Sequence, residues 1–210
     1  MCRDCLNLQA IPAYFHPTSY IFHPMVQTIF QPFPELETER LILRRPLPSD
    51  AEEMFRYRSD PQLMRYIPHR LAGKLEEVQE TLVTVNNLID TGKGLNWALT
   101  LKDDPTIIGM AGYVRIIEDH YRAEVGYMLH TPHHGKGLVS EAVRAILDFG
   151  YREMKLHSVE AVVNTENEAS KRVLERMGFS KDALFRDYLC HAGRFSDAHV
   201  YSILLPLSAL

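Results

Sequence analysis

A mixed α/β fold, in which helices cover a central sheet, is what this sequence predicts, and three observations carry that reading. Leu95, Trp97, Leu99 and Leu101 alternate, and the run Ile107 to Ile117 returns after the turn Asp103-Asp104-Pro105, which is the pattern of a β-hairpin. Leu138, Val139, Ala142, Val143, Ile146, Leu147 and Gly150 recur instead at helical spacing. Between the two patterns, a glycine-rich turn at Gly135-Lys136-Gly137 joins a strand to that helix.

In chain order, Leu41 to Arg45 predicts the first strand. Pro48-Ser49-Asp50 caps a helix over roughly 50 to 59, and Asp60-Pro61 stops it, since the residue before a proline is pushed out of helical geometry. A longer helix covers about 74 to 90. After the hairpin, Glu118-Asp119-His120 turns the chain into a strand over Ala123 to Leu129 that carries Glu124. The apolar strand Val159 to Val163 comes after the 138–150 helix. Asn167 then caps a short helix over 168–177, with Val173, Leu174 and Met177 inward and Gly178 at its stop. Two strands, about 181 to 190 and 194 to 204, end the pattern around Cys190-His191-Ala192-Gly193.

The turn His133-His134-Gly135-Lys136-Gly137-Leu138 is where chemistry concentrates. The first N–H groups of a helix have no intrahelical partner and sit at the positive end of its dipole, so they hold a pyrophosphate with few side chains. Lys136 adds a full charge. Taken alone, the G-x-G is equally a plain strand-to-helix turn. The glycine spacing and Lys-Ser/Thr of a P-loop are missing, as is the third glycine of the dinucleotide fingerprint.

The order of the motifs says more than any one of them. A Glu-x-Gly-Tyr strand (124–127), a Gly-Lys-Gly-Leu turn (135–138), a Ser-Glu-Ala helix start (140–142) and Asn164-x-x-Asn167-x-x-Ser170 before Gly178-Phe179 together resemble the GNAT acetyltransferase superfamily. Leu36-Glu37-Thr38-Glu39-Arg40-Leu41-Ile42-Leu43-Arg44 is similar to the first strand of its branch of RimJ/RimL-type ribosomal-protein N-acetyltransferases. The resemblance covers about residues 36 to 206. It implies a largely antiparallel sheet with two splayed middle strands, and acetyl-CoA as the cosubstrate, without a metal.

Carried onto this sequence, the resemblance places the pantetheine arm beside Tyr127, Met128 and Leu129, where it pairs with backbone amides as a peptide pairs with a sheet edge. The pyrophosphate lies on the amides of Gly135, Lys136, Gly137 and Leu138, with Val139 next to them. His133 and His134 either touch phosphate or adenine or are solvated loop residues. Many superfamily members have Gln or Arg three residues before the first glycine, and Pro132 stands there in this chain. Glu124 is the candidate general base, acting directly or through water; the alternative is an exposed glutamate paired with Arg115 or Arg122. A backbone N–H near Met128 or Leu129 polarises the thioester. Many GNAT enzymes protonate the departing thiolate with a tyrosine on the last helix. None occurs over 168–177; Ser170 stands where the RimL-like branch has a serine proposed to bond the sulfur, and Asn164 and Asn167 fall beside the pantetheine. Ser170 as a plain helix-surface serine is the competing reading. The implied acceptor is an amine, either a ribosomal or other protein N-terminus or a small molecule, taken up by a monomer or homodimer. A non-catalytic acyl-CoA-binding module is the alternative of a different class.

Composition bounds the rest. A chain of 210 residues with 46% hydrophobic content buries one sizeable core, and a formal charge of -4 gives no electrostatic case for nucleic acid. No apolar run approaches a membrane span, and Cys2, Cys5 and Cys190 make no disulfide framework, so a cytoplasmic location is expected. Residues 1–34 are read as an irregular arm, with Pro12, Pro17, Pro24, Pro32 and Pro34 among scattered aromatics, and residues 35–210 as the domain. Cys2, Cys5, His16 and His23 could supply zinc ligands, though at no recognised finger spacing, and Met25 could be the initiator. Trp97, Tyr113, Tyr127, Tyr188 and Phe195 either wall an acceptor pocket or belong to the core, and Asp197 and Glu118 are candidate attractors of a cation.

Overall fold

The computed structural model describes residues 30–67, 69–191 and 193–205. Cys2, Cys5, His16, His23 and Met25 lie outside them, so the zinc and initiator readings do too. The described strands are β1 (Leu36–Glu37), β2 (Leu41–Arg44), β3 (Leu95–Leu101), β4 (Asp104–Ile117), β5 (Arg122–Leu129), β6 (Ser158–Asn164), β7 (Ser180–His191) and β8 (Arg194–Leu204). The helices are α1 (Ala51–Arg58), α2 (Pro61–Met64), α3 (Leu75–Asp90), α4 (Leu138–Arg152) and α5 (Glu168–Arg176). The strands form one sheet in the order β1-β2-β3-β4-β5-β6-β8-β7. Each neighbouring pair is antiparallel except β5 and β6, which α4 connects as a crossover.

Side chains alternate between the faces of this sheet, which explains the two-sided core. Leu95, Trp97, Leu99, Tyr113 and Val125 face α4, meeting Ala142, Val143, Ile146 and Phe149. Ala98, Ile107, Met110 and Met128 face the other way, under Met54, Tyr57, Val78 and Leu82 of α1 and α3. Each fully buried Leu or Ile contributes about 2 kcal/mol, so the two layers hold the sheet between them. Contact is closest at Gly150, where a Cβ would stand 2.1 Å from the Tyr113 hydroxyl, itself bonded to the Ile146 carbonyl at 2.8 Å.

Residues 30–34 fall within the expected arm, yet Phe30 is only 2% exposed, inside the α4-side core. The Pro34 carbonyl also accepts the Trp97 indole N–H at 2.6 Å, and Phe33 meets the Trp97 ring edge-on. A buried indole needs an acceptor, and this short segment supplies it. Trp97 and Tyr113 are thus core residues rather than pocket walls, whereas Tyr188 and Phe195 are exposed.

Two features position the site. β5 and β6 pair only at Arg122↔Ser158, Ala123↔Val159 and Glu124↔Glu160, after which their pairing ends and five more residues of β5 run on to Leu129. The middle of the sheet is splayed beyond Glu124. On the other side of β5, a register shift in β4 between Tyr113 and Arg115 sets Arg115, rather than Val114, opposite Glu124. An extra residue in one strand re-aims the side chains beyond it, so the bulge brings the guanidinium to the carboxylate.

Candidate active site

At the open end of the splay, β5 runs into a 3-10 turn over Thr131–His133 and then the glycine turn. Gly135 and Gly137 take φ of +73° and +76°, a region that costs residues with a Cβ about 1–2 kcal/mol. A Cβ at Gly135 would meet nothing within 4 Å, so the backbone there is open to a ligand. Gly137 occupies the N-cap of α4 with no side chain capping the helix, and the first intrahelical bond is Glu141 N–H to Gly137 O at 3.1 Å. The amides of Leu138, Val139 and Ser140 precede that bond and have no intrahelical acceptor. Such an uncapped, dipole-positive rim with room in front of it fits a pyrophosphate. His134 is tied down by its Nε2, 2.6 Å from the Leu129 carbonyl, and so braces the turn against the end of β5. Lys136 is exposed, and His133 is half-buried.

The opening Thr38-x-Arg40 segment proves to be part of this turn, which nothing in its local sequence signals. Arg40 Nη1 donates to the Lys136 carbonyl at 2.9 Å, while its Nε and backbone N reach the two Glu141 carboxylate oxygens at 2.7 and 2.8 Å. Thr38 Oγ1 donates to Glu141 Oε1 at 2.6 Å. Partial burial works to raise the Glu141 carboxyl, but the bonds from Thr38 and Arg40 prevail and hold it below its ordinary range. The result is a brace from β2's approach to the first turn of α4. Arg40→Ala removes its guanidinium bonds to Lys136 and Glu141 while the Thr38 and backbone bonds to Glu141 remain, and a charge-assisted bond is worth about 1.5–3 kcal/mol before discounting for Arg40's half-exposed side chain. Acetyl-CoA should therefore bind about tenfold more weakly by calorimetry; an unchanged affinity would mean the turn keeps its shape unaided.

Where the splay begins, Glu124 sits at the last position of β5 that pairs with β6, with its side chain 22% exposed. One nitrogen, Arg115 Nη2, stands 3.0 Å from both Glu124 Oε2 and Glu160 Oε1, and Arg122 pairs with Glu160 as well. The structure thus contains the ion pair that the sequence offers as the alternative to a base. Burial nevertheless dominates and pushes the Glu124 carboxyl above its ordinary range; Arg115 pulls it down and the Glu160 charge adds to the rise. Glu124 shares its face with Met128, whose neighbours lie under α1 and α3. Arg65, just beyond α2, reaches Glu166 of the β6–α5 loop at 3.5 Å, so this segment borders the same opening.

On the α4 face, Tyr127 crosses from β5 to α5, its hydroxyl 2.7 Å from Ser170 Oγ and 3.3 Å from the Ser170 carbonyl. Burial pushes the phenol up to about 12, with the Ser170 bond acting weakly the other way. Ser170 N–H donates to Asn167 Oδ1 at 3.1 Å, the N-cap bond expected of that asparagine. At the far end, Phe179 N–H reaches the Leu174 carbonyl at 3.0 Å with Gly178 at φ +89°, closing α5 by a Schellman turn. Asn164 is committed to the loop itself: Oδ1 accepts Glu166 N–H at 2.8 Å and Nδ2 donates to Ser196 Oγ at 2.9 Å. Glu124, Tyr127, Met128, Ser170 and Asn167 are therefore gathered around the splay, and Gly135 to Val139 at its mouth. Asp197 binds Asp187 N–H at 2.9 Å, and Glu118 lies in the β4–β5 turn.

A splayed β5/β6 pair opening onto an uncapped helix N-terminus is the arrangement that the family resemblance implies for an acyl-CoA-dependent transferase. Residues 40–180 match the family model for the acetyltransferase (GNAT) domain, and the chain belongs to that family. It is similar to the uncharacterized N-acetyltransferase YoaA of Bacillus subtilis, 35% identical over 174 residues that span 83% of this chain and 98% of the relative. It is also 30% identical over 127 residues to the ribosomal protein uS5-alanine N-acetyltransferase of Escherichia coli, covering 60% of this chain and 65% of that one. Among solved structures, RimL, a ribosomal L7/L12 alpha-N-protein acetyltransferase in complex with coenzyme A, superposes with a TM-score of 0.74. At 17% identity over 82% of this chain and 98% of RimL, it shares the fold. The chain is a GNAT N-acetyltransferase, a family membership that implies acetyl-CoA as the cosubstrate. Among the described residues no helix is long and apolar enough to cross a membrane.

Proposed function

We propose that the protein acetylates a protein N-terminal amine by direct transfer from acetyl-CoA, with Glu124 as base and Ser170 at the leaving sulfur. The observation that carries this is Glu124 itself, a raised carboxyl at the point where the sheet opens, shared with one guanidinium. A carboxylate offset by Arg115 is a modest base. It suits an α-amino group, whose pKa near ~7.7 to 8.0 leaves it partly neutral at physiological pH, better than a lysine or polyamine near ~10.4. The uS5-alanine relative agrees with an α-amine acceptor.

In this reading the pyrophosphate rests on Gly135 to Val139, braced by Arg40, and the pantetheine lies along Tyr127, Met128 and Leu129. Asn167, whose Oδ1 is held by Ser170 N–H, turns its Nδ2 to the pantetheine, while Asn164 acts indirectly by fixing the 164–167 loop. The amine enters from the α1/α3 face and loses a proton to Glu124 as its nitrogen attacks the thioester carbon. A β5 amide near Met128 or Leu129 takes up the oxyanion charge. Collapse breaks the C–S bond, and its electron pair leaves with sulfur beside Ser170. The acceptor panel that tests this offers peptides beginning with Ala or Ser, free lysine and spermidine, with thiol release as the readout. Acetylation at peptide N-termini is expected; turnover confined to spermidine or lysine would overturn the N-terminal reading and leave a small-amine enzyme.

A further inference from the structure

Tyr127 belongs to β5 and lies 43 residues from Ser170 in sequence, yet its hydroxyl is the group that meets the serine. A phenol has one hydrogen, so the two contacts at Ser170 describe alternative states. In one, Tyr127 donates to the Ser170 carbonyl at 3.3 Å and the serine hydroxyl donates to Tyr127. In the other, Tyr127 donates to Ser170 Oγ at 2.7 Å, the usual length for a hydroxyl pair, and the serine hydrogen is free to turn elsewhere. Ser170 is otherwise held by its backbone, through the Asn167 cap.

We propose that Tyr127 is the positioning residue for the leaving group: its hydroxyl donates to Ser170 Oγ and thereby aims the serine hydrogen at the departing sulfur. The inference rests on the proposed contact between Ser170 and that sulfur. Negative charge growing on sulfur favours the second state, because a hydrogen bond to an ionised acceptor is about twice as strong as a neutral one. No proton is relayed through the pair. The C–S electron pair stays on sulfur, the amine gives up one proton by way of Glu124 to solvent, and the thiolate takes one from solvent. With its acidity suppressed by burial, Tyr127 remains a neutral donor through the neutral and mildly alkaline range. The tyrosine absent from α5 is thus supplied by β5, acting on sulfur through the serine instead of directly.

The test reads the thiol itself, without an acceptor. CoA bound to the full chain is titrated by its thiolate absorbance, taken as the difference from protein without CoA, for wild type, Ser170→Ala, Tyr127→Phe and the double variant. Calorimetry on each confirms that CoA is bound, and Phe fills the same volume as Tyr. The bound thiol is expected to titrate about one pH unit lower in wild type than in Ser170→Ala, from a bond to a charged acceptor. Tyr127→Phe should reproduce most of that change, and the double variant should add nothing further, since the two hydroxyls act as one unit. If Ser170→Ala leaves the titration unmoved, the role assigned to Ser170 fails. If Ser170→Ala moves it and Tyr127→Phe does not, Tyr127 is only a tie between β5 and α5 and the inference is overturned.

Discussion

Gly135→Glu is expected to abolish measurable acetyl-CoA binding while the protein stays folded. Two effects combine at this position. The backbone holds φ +73°, so any side chain there costs about 1–2 kcal/mol of strain, felt by free and bound protein alike. The glutamate also sets a negative charge against a pyrophosphate; at ~4 Å and an effective dielectric of ~20 each such pair repels by about 4 kcal/mol, which alone exceeds a hundredfold in affinity. Nothing lies within 4 Å of the new Cβ, so no neighbour is displaced and the loss reads as electrostatic. Gly135→Ala separates the two effects: it carries the strain without the charge and should bind within about tenfold of wild type. Calorimetry of acetyl-CoA into both variants checks this, with thermal unfolding beside it. Wild-type affinity in Gly135→Glu would remove the phosphate from this turn.

Much of the fold is legible in the sequence because its signals are local. The alternation of β3, the stripe of α4, the Asn167 cap and the Gly178 stop each depend on residues a few positions apart, and the observed elements agree with them closely. Where structure and sequence part, the cause is a local conflict or a long-range contact. Asp60-Pro61 does end α1, but the same proline at a first helical position with an aspartate cap opens the short α2, Asp60 Oδ1 accepting Gln62 N–H at 2.8 Å. β1 is two residues long and is defined by pairing with β2 rather than by any periodicity. The Arg40 brace spans 101 residues to Glu141, and the Tyr127 bond spans 43 to Ser170, so no spacing rule reaches either. Arg115 is a partner that the sequence offers for Glu124, whereas the bulge that brings the two together depends on strand register, which a single sequence leaves open.

The ion pair at Glu124 is at odds with a basic role only if the resting charge state is taken as the whole account, and replacement by glutamine separates the two. A carboxylate that merely pairs with Arg115 would, when lost, cost little turnover, because Glu160 still holds the guanidinium at 3.0 Å. A general base, when lost, lowers kcat/KM by about 10² to 10⁴. Glu124→Gln is expected to show the second pattern, with acetyl-CoA affinity intact. The pH profile adds an independent sign. Burial raises the Glu124 carboxyl, so wild-type kcat/KM should fall on acidification through a limb lying above the ordinary glutamate range, and the glutamine variant should lack that limb. Stability runs the other way. A raised pKa in the folded state favours the protonated form, so this group's contribution is full below the unfolded carboxylate pKa and is lost as pH rises through the folded value. Glu124→Gln should therefore melt no lower than wild type at neutral pH, since its neutral amide escapes the desolvation that the carboxylate bears. A variant with unchanged kcat/KM and a lower melting temperature would make Glu124 a structural ion-pair residue and move the base elsewhere in the splay.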